Sequence, residues 1–141
     1  MKNPRPLMVS LPFTVKTYDI DFAGHVSNIV YIRWLEDLRL HFLDTYFPLA
    51  DQMAESYAPI LIRTEIDYKR ALRLFDAPIT GQMWLRDAGR LKWCLEAEFT
   101  LDTAVVAASV QYGVFIDITT HRPIPLPEPL RSRYHGEIAA E

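Results

Sequence analysis

The feature that most constrains the fold is a period-two alternation of apolar and polar residues in the second half of the chain. Its clearest run is 91–101, where every second residue is apolar and most of the residues between are charged or polar. Side chains of a strand point to opposite faces in turn, so this run predicts a strand with one face in the core. Three further stretches predict strands, at 60–69, 77–86 and 104–117, and residues 87–90 supply a turn that predicts a hairpin.

One segment ahead of these strands has a helical period instead. Between Tyr31 and Tyr46 the apolar residues recur at steps of three and four, and charged residues fill the opposite side. Ser27 or Asn28 can cap the start of this helix, and Pro48 ends it at or before the preceding residue. A helix of about 17 residues is about 25 Å long.

The order of these elements predicts the fold class. A short aromatic and β-branched run at 13–18 predicts a first strand, which is followed by a loop, the long helix and four further strands. A helix segregated from a run of antiparallel strands is typical of the α+β class. We therefore expect one long central helix along the concave face of a curved antiparallel sheet of about five strands.

The domain organisation follows from length and from the placement of proline. A chain of 141 residues that is 50% hydrophobic can bury one substantial core, and no internal repeat or linker divides it. Proline-rich stretches lie at both ends. We expect an N-terminal tail over 1–12, a single domain over 13–130 and a C-terminal tail over 131–141.

Composition excludes several classes of function. The formal net charge is -3, so nothing in the overall balance favours nucleic acid as a partner. Cys94 is the only cysteine, which excludes an internal disulfide and a zinc site built from several thiolates. Residues 1–12 lack the apolar stretch of a signal peptide, and the most apolar run, 104–116, is shorter than a membrane span. We expect a cytoplasmic protein with no membrane partner.

The groups that could perform chemistry are concentrated between Asp19 and Tyr31. Two carboxylates, Asp19 and Asp21, and the imidazole of His25 come directly before the predicted start of the helix. The free N–H groups and the dipole of a helix start favour negative charge, including a developing oxyanion. A nearby aspartate could attack a carbonyl or activate a water, and a thioester suits this apparatus because its thiolate leaves without a strong acid. On local pattern alone, capping and turn formation are the commoner roles of such residues.

The same segment resembles the signature of the 4-hydroxybenzoyl-CoA thioesterase family. The pattern is D-x-D-x-x-G-H-V-x-N, at 19–28, followed by an aromatic-rich helix start, and weaker similarity extends through 68–76 and 117–127. That family has the hotdog fold, in which an antiparallel sheet wraps a long helix. The resemblance implies an acyl-CoA thioesterase that needs no metal or other cofactor.

The resemblance also implies roles for single residues. Asp21 corresponds to the catalytic aspartate, acting as a nucleophile or as a general base on water. The backbone N–H of Asn28 would polarise the thioester carbonyl, and Tyr31 would line the acyl pocket. His25 could position the substrate or orient the aspartate, but it could equally lock the loop by a hydrogen bond. Gly24 lies at the turn among the expected substrate-binding residues.

A basic cluster follows the first strand after the helix. Lys69, Arg70 and Arg73 are the densest group of cations, and we expect them to hold the phosphates of CoA, although a solvated strand end is the commoner role of such a cluster. Ser27 departs from the family pattern, since many relatives have Asn there. The turn at 102–103 also lacks a glycine that is often found in the family.

Other carboxylates and the thiol compete for the catalytic role. Family members divide between a catalytic acid on this loop and one on the helix, which makes Glu36 and Asp37 the rivals of Asp21. We prefer the loop aspartate because both rivals fall opposite the apolar face of the helix. Asp19 is expected to be structural, and a catalytic Cys94 is not expected because no histidine is placed to activate it.

The hotdog resemblance implies a homodimer in which two sheets join edge to edge, or a homotetramer built from such dimers. The expected partner is an acyl-CoA substrate bound between subunits. Two alternatives stay open: hydrolysis of acyl groups carried on acyl carrier protein, and a non-catalytic hotdog module that only binds an acyl thioester.

Overall fold

The computed structural model describes residues 5–139, which form a six-stranded antiparallel sheet and three α-helices. The strands are β1 (Val9–Phe13), β2 (Tyr57–Tyr68), β3 (Ile79–Ala88), β4 (Lys92–Leu101), β5 (Ala104–Asp117) and β6 (Pro123–Ile124). The helices are α1 (Asn28–Tyr46), α2 (Leu49–Ala54) and α3 (Glu128–Ala139), and a single 3-10 turn spans Thr17–Asp19.

The sheet has the strand order β1-β3-β4-β5-β2, and the short β6 pairs with β5 outside this path. Strands β3, β4 and β5 are joined as consecutive hairpins, whereas the chain reaches β2 before them and places it at the far side of β5. The two edges of the sheet are therefore β1, with 5 residues, and β2, with 12 residues. Only the second edge is long.

Helix α1 packs against β1 and β3, and its apolar face forms the centre of the core. Leu35 and Leu38 of the helix are completely buried, as are Met83, Phe99 and Val106 of the sheet. Burying a leucine of this kind contributes about 1.5–3 kcal/mol. The α+β class, with one long helix against a sheet of five principal strands, is confirmed.

The start of α1 differs from the expected capping. Ser27 occupies the position before the helix, but its side chain accepts no capping hydrogen bond. Its backbone carbonyl accepts the N–H of Val30 at 2.9 Å instead. At the other end the N–H of Phe47 donates to the carbonyl of Leu43 at 2.7 Å, and Pro48 follows, as the sequence predicts.

Both segments that the sequence predicts as tails contain secondary structure. Residues 9–12 belong to β1, and 131–139 belong to α3. Pro12 is tolerated because β1 is an edge strand, where a missing N–H costs no ladder bond. The two segments also meet, because both carboxylate oxygens of Glu137 lie 3.2 Å from the N–H of Leu7. Residues 1–4 and 140–141 of the expected tails lie outside the described range.

The strand predictions place each strand within a few residues of its observed position, with one exception. The run 13–18 does not form a strand beyond Phe13, because the chain turns into the 3-10 segment. Within β2, Ile60 and Ile62 are 39% and 60% exposed. Among residues 5–139, no helix is long and apolar enough to cross a membrane.

Candidate active site

The loop before α1 is closed on itself by backbone hydrogen bonds. The N–H of Asp21 donates to the carbonyl of His25 at 2.8 Å, and the N–H of Gly24 donates back to the carbonyl of Asp21 at 3.0 Å. Ile20 and Val26 pair as an isolated β-bridge below this turn. The loop is therefore a small hairpin with Asp21 and His25 on facing sides of its tip.

The carboxylate of Asp21 is held by the loop it belongs to. Its Oδ1 accepts the backbone N–H of Ala23 at 2.9 Å and the backbone N–H of His25 at 3.1 Å. The side chain is half-buried. Two donors on one oxygen fix the orientation of the carboxylate and leave Oδ2 for a water or a substrate. His25 thus supports Asp21 through its backbone N–H.

Asp19 holds the loop by hydrogen bonds to the residues on either side of it in the chain. It is buried, its Oδ2 accepts the N–H of Lys16 at 2.8 Å, and its carbonyl accepts the N–H of Ser27 at 2.8 Å. The chain is thereby fixed immediately before α1. The N–H of Asn28, the first residue of the helix, takes part in none of the backbone hydrogen bonds of this junction in residues 5–139. It is one of the free donors of a helix start.

A second contact brings the basic segment to the loop. The N–H of Val26 donates to the carbonyl of Leu72 at 2.8 Å, which ties the loop to the chain that follows β2. The N–H groups of Lys69 and Arg70 both donate to the carbonyl of Val106, at 2.8 and 3.1 Å. Residues far apart in sequence are thus fixed beside one another.

These contacts enclose a cavity of about 260 Å³ at the start of α1. Six of the eight predicted site residues line it, which are Asp21, His25, Asn28, Tyr31, Lys69 and Arg70. Gly24 and Arg73 do not. Gly24 forms the turn with φ +80°, and Arg73 is exposed and donates its N–H to the carboxylate of Asp76 at 2.8 Å.

Three lining residues were not predicted from the sequence, namely Val26, Tyr68 and Ala71, and Tyr68 is the one with a polar group. Its hydroxyl donates to the carbonyl of Asn28 at 3.3 Å, and its ring meets Tyr31 edge-on with centroids 5.2 Å apart. The alternation at 60–69 predicted only that Tyr68 belongs to a strand. The available signal was its position directly before Lys69 and Arg70.

Tyr31 is buried at the inner wall of the cavity. Burial, followed by the nearby Tyr68 and Asp76, raises the pKa of Tyr31 to about 12. Its hydroxyl is therefore neutral at physiological pH. It can donate a hydrogen bond to an acyl carbonyl or line the pocket, but it cannot act as a base there.

The rival catalytic groups lie elsewhere. Glu36 and Asp37 are both exposed, and neither lines the cavity of Asp21. Cys94 is buried, and the charged groups near its thiol include Arg86 and Glu96. Burial raises the pKa of its thiol, which disfavours the thiolate. Within residues 5–139, no three His, Cys, Asp or Glu side chains are grouped closely enough to hold a metal ion.

Comparison with known proteins identifies the family. The sequence model described as the thioesterase-like superfamily matches residues 15–134, which is most of the chain. The chain belongs to this superfamily. Membership confirms the resemblance seen at 19–31 and the expected enzyme class, a thioester hydrolase.

This thioesterase-like chain is also similar to individual proteins. It is 29% identical over 122 residues to the long-chain acyl-CoA thioesterase FadM of Escherichia coli (strain K12), covering 84% of this chain and 91% of that protein. Among solved structures, the probable thioesterase YbaW of Escherichia coli has a TM-score of 0.77 at 26% identity, covering 89% of this chain and 94% of that one. A thioesterase from Thermus thermophilus, complexed with coenzyme A and Zn, has a TM-score of 0.80 at 24% identity, covering 95% of this chain and 96% of that one. These likenesses confirm the hotdog fold.

Proposed function

We propose that this chain hydrolyses an acyl-CoA thioester to the free acid and CoA in the cavity between Asp21 and the start of α1. The observation that carries this proposal is the convergence of three separate segments on one cavity: the carboxylate loop, the helix start and the basic segment after β2. The similarity to an acyl-CoA thioesterase supports the choice of thioester.

Asp21 supplies the carboxylate that acts as nucleophile or general base in the proposed reaction. Its Oδ1 is occupied by the loop, so Oδ2 attacks the thioester carbonyl carbon directly or takes a proton from an attacking water. The backbone N–H of Asn28 then stabilises the negative charge on the carbonyl oxygen. Collapse of the tetrahedral intermediate breaks the C–S bond, and the thiolate leaves and takes up a proton. When Asp21 acts as the base on water, this step releases the free acid. When Asp21 is the nucleophile, it leaves a mixed anhydride with Asp21, which a water then hydrolyses to the free acid and the carboxylate.

The carrier of the acyl group is the second part of the proposal. Lys69 and Arg70 are exposed at the rim of the cavity, where they can meet the phosphates of CoA. Arg73 is exposed further along the same segment, outside the cavity, and would act only on a ligand that extends past the rim. A bound CoA would thus place its thioester inward and its phosphates at the surface.

We also propose a homodimer formed at β2. This strand is the long free edge of the sheet, it carries exposed Ile60, Leu61 and Ile62, and it ends at Tyr68 in the cavity wall. An exposed apolar edge of this length is a template for pairing with a second strand. Pairing here would bring the partner close to the cavity and complete the site.

The test is thiol release from a panel of acyl-CoAs. Asp21→Asn keeps an Oδ1 that can accept the two loop N–H groups but removes the carboxylate, so we expect kcat to fall at least 100-fold. Asp37→Asn and Glu36→Gln remove the rival carboxylates, and we expect both to stay within about twofold of wild type.

Three results would contradict the proposal. Equal release by wild type and Asp21→Asn removes the catalytic assignment. Release from an acyl carrier protein but not from any acyl-CoA changes the carrier. Tight binding of acyl-CoA by the wild type without any release identifies a binding module.

A further inference from the structure

The first turn of α1 has no side-chain cap of its own. Ser27 precedes the helix, but its side chain makes no capping hydrogen bond. A helix start leaves backbone groups unpaired, and a missing cap makes its first turn less stable. The proposed reaction requires the N–H of Asn28 to keep one direction, because a donor stabilises an oxyanion only when it points to where the charge develops. The turn therefore needs another contact to hold it.

Tyr68 makes such a contact. Among the side-chain hydrogen bonds of residues 5–139, only the one from Tyr68 reaches the first turn of α1, where its hydroxyl donates to the carbonyl of Asn28 at 3.3 Å. Burial raises the pKa of this hydroxyl above its ordinary 10.0. The hydroxyl is therefore protonated at neutral pH and available as a donor.

We infer that Tyr68 is a positioning residue for the proposed hydrolysis: its hydroxyl holds the first turn of α1 so that the N–H of Asn28 points to the thioester carbonyl. The inference rests on the proposed function, because it takes this N–H to be the oxyanion donor.

The direction of the Asn28 N–H depends on the peptide groups on both sides of the Asn28 Cα. This N–H belongs to the same planar peptide as the carbonyl of Ser27, which accepts the N–H of Val30 at 2.9 Å. That bond lies within the turn and moves with it. Two contacts tie the turn to the rest of the chain: the N–H of Ser27 donates to the carbonyl of Asp19 at 2.8 Å, and Tyr68 donates to the next peptide carbonyl. Without Tyr68 only the contact with the loop remains.

Tyr68 is itself fixed to the sheet and to the core. It is the last residue of β2, and its backbone pairs with Ala107 of β5. Its ring meets Tyr31 edge-on with centroids 5.2 Å apart, and Tyr31 in turn lies 5.8 Å from the ring of Phe99, which is completely buried. The position of the hydroxyl is therefore set by β2 and by the aromatic core. Through it, the sheet determines where the helix start lies.

Tyr68→Phe removes the hydroxyl and keeps the ring in the cavity wall. A reacting group displaced by 1 Å can cost about 100-fold in rate, and since one of two ties is lost we expect kcat to fall about tenfold. KM should stay within twofold, because the oxyanion donor acts on the transition state. Tyr57→Phe removes a hydroxyl at the other end of β2, outside the cavity, and should leave both constants within twofold. An unchanged kcat in Tyr68→Phe, or a loss that appears only in KM, overturns the inference.

A double-mutant cycle decides whether the hydroxyl acts through the Asn28 N–H or on the substrate directly. Asn28→Pro removes that N–H at the first helical position, where proline is well tolerated, and Ser27 before it already has φ -63° and ψ 144°, which suits a residue preceding proline. Asn28→Ala keeps the N–H and is the matched background. Tyr68→Phe should lower kcat about tenfold in Asn28→Ala and less than twofold in Asn28→Pro. An equal fall in the two backgrounds would place the hydroxyl on the substrate and overturn the positioning role.

Hydrogen exchange separates this inference from the proposed function, because it requires no turnover. The amides of the first turn of α1 should exchange at least fivefold faster in Tyr68→Phe than in wild type or Tyr57→Phe. If wild type releases no thiol but shows this difference, the proposed hydrolysis fails and the contact of Tyr68 with the helix start stands. If wild type hydrolyses acyl-CoAs and neither exchange nor kcat responds to Tyr68→Phe, the inference fails alone. Faster exchange with an unchanged kcat would make the contact purely structural, which also overturns the positioning role.

Discussion

At the level of single residues, the loop before α1 depends on one backbone conformation that few side chains adopt. Gly24 has φ +80°, and this bend lets the chain return so that Asp21 meets the N–H groups of Ala23 and His25. Glycine takes such a conformation without steric penalty, whereas other residues are strained there. Gly24 therefore acts on the site by shaping the turn.

Replacement of Gly24 by alanine should lower the free energy of unfolding by about 1 kcal/mol. No heavy atom lies within 4 Å of the added Cβ, so the whole effect comes from the backbone. Gly136 in α3 has equally open surroundings but an ordinary φ, and its replacement by alanine should raise stability by about 0.5–1 kcal/mol. Urea denaturation measures both, and a matching sign in the two variants would refute the argument.

The ionisation of Tyr31 gives a prediction about pH. Its pKa in the folded protein is about 12, above the ordinary 10.0, so between these values the unfolded chain loses its proton first. The stabilising contribution is complete below pH 10 and is lost as the pH rises to about 12. We expect wild type to lose on the order of 2 kcal/mol more than Tyr31→Phe over this window, since one pKa unit is about 1.36 kcal/mol. Denaturation at about pH 9, 10.5 and 12 tests this, and parallel curves for the two proteins would contradict it.

At the level of elements, the central strands depend on close approach at one position. Gly113 of β5 pairs with Trp93 of β4 on one side and Leu61 of β2 on the other. A Cβ at residue 113 would overlap the ring of Trp93 and the carbonyl oxygen of Ile60. The register of β2 shifts next to this point, between Leu61 and Arg63. The indole thus occupies the space above β5 that a side chain would need.

Gly113→Ala should therefore destabilise the protein by about 3 kcal/mol, the upper part of the usual range for an overfilled core. Gly89→Ala, in the turn between β3 and β4, is the control, because its added Cβ meets only the Lys92 carbonyl at 3.5 Å. Thermal or urea unfolding should separate the two variants clearly. A stability of Gly113→Ala equal to that of Gly89→Ala would mean that Trp93 moves aside freely.

At the level of the whole molecule, the two edges of the sheet differ. The terminal segments cover the side of β1 and β3, whereas the β2 edge is exposed. The N- and C-terminal segments meet through Leu7 and Glu137, and Tyr134 of α3 donates its hydroxyl to the carbonyl of Arg86 at 2.9 Å. Strand β2 has no such cover in the described chain, and its consecutive residues Ile60, Leu61 and Ile62 are all exposed. The asymmetry explains why the proposed dimer uses β2 and not β1.

Ile62→Lys places a charge at this edge and should raise the dissociation constant of the dimer at least tenfold. Val105→Lys, on β5, adds the same charge at an exposed position outside β2 and should leave assembly unchanged. Analytical ultracentrifugation over a concentration series measures both. A wild type that sediments as a monomer at all concentrations would end the dimer proposal.

The sequence by itself determined the elements that have long periodic runs. The long runs of α1, β4 and β5 were predicted within a few residues because every turn of the helix and every second strand residue reports its environment. The terminal elements escaped because their signals are short: in α3 only Leu130, Tyr134 and Ile138 repeat at steps of four. Their stability comes from contacts with distant parts of the chain, which no local pattern carries.

The candidate site also has one part that the sequence indicated and another part that only the folded structure decided. Asp21, His25, Asn28 and Tyr31 stand within eleven residues, and a motif of that length could point to them. Only the folded chain decided that Tyr68, Lys69 and Arg70 line the same cavity and that Arg73 does not, because the β2 strand has to pair with β5 before its end reaches the helix start. An apolar cavity at the other end of α1 was not predictable at all, since its wall is assembled from helix, sheet and C-terminal segment together. Period and spacing fix which faces a segment can bury, whereas the shape left between buried faces depends on how all of the elements pack.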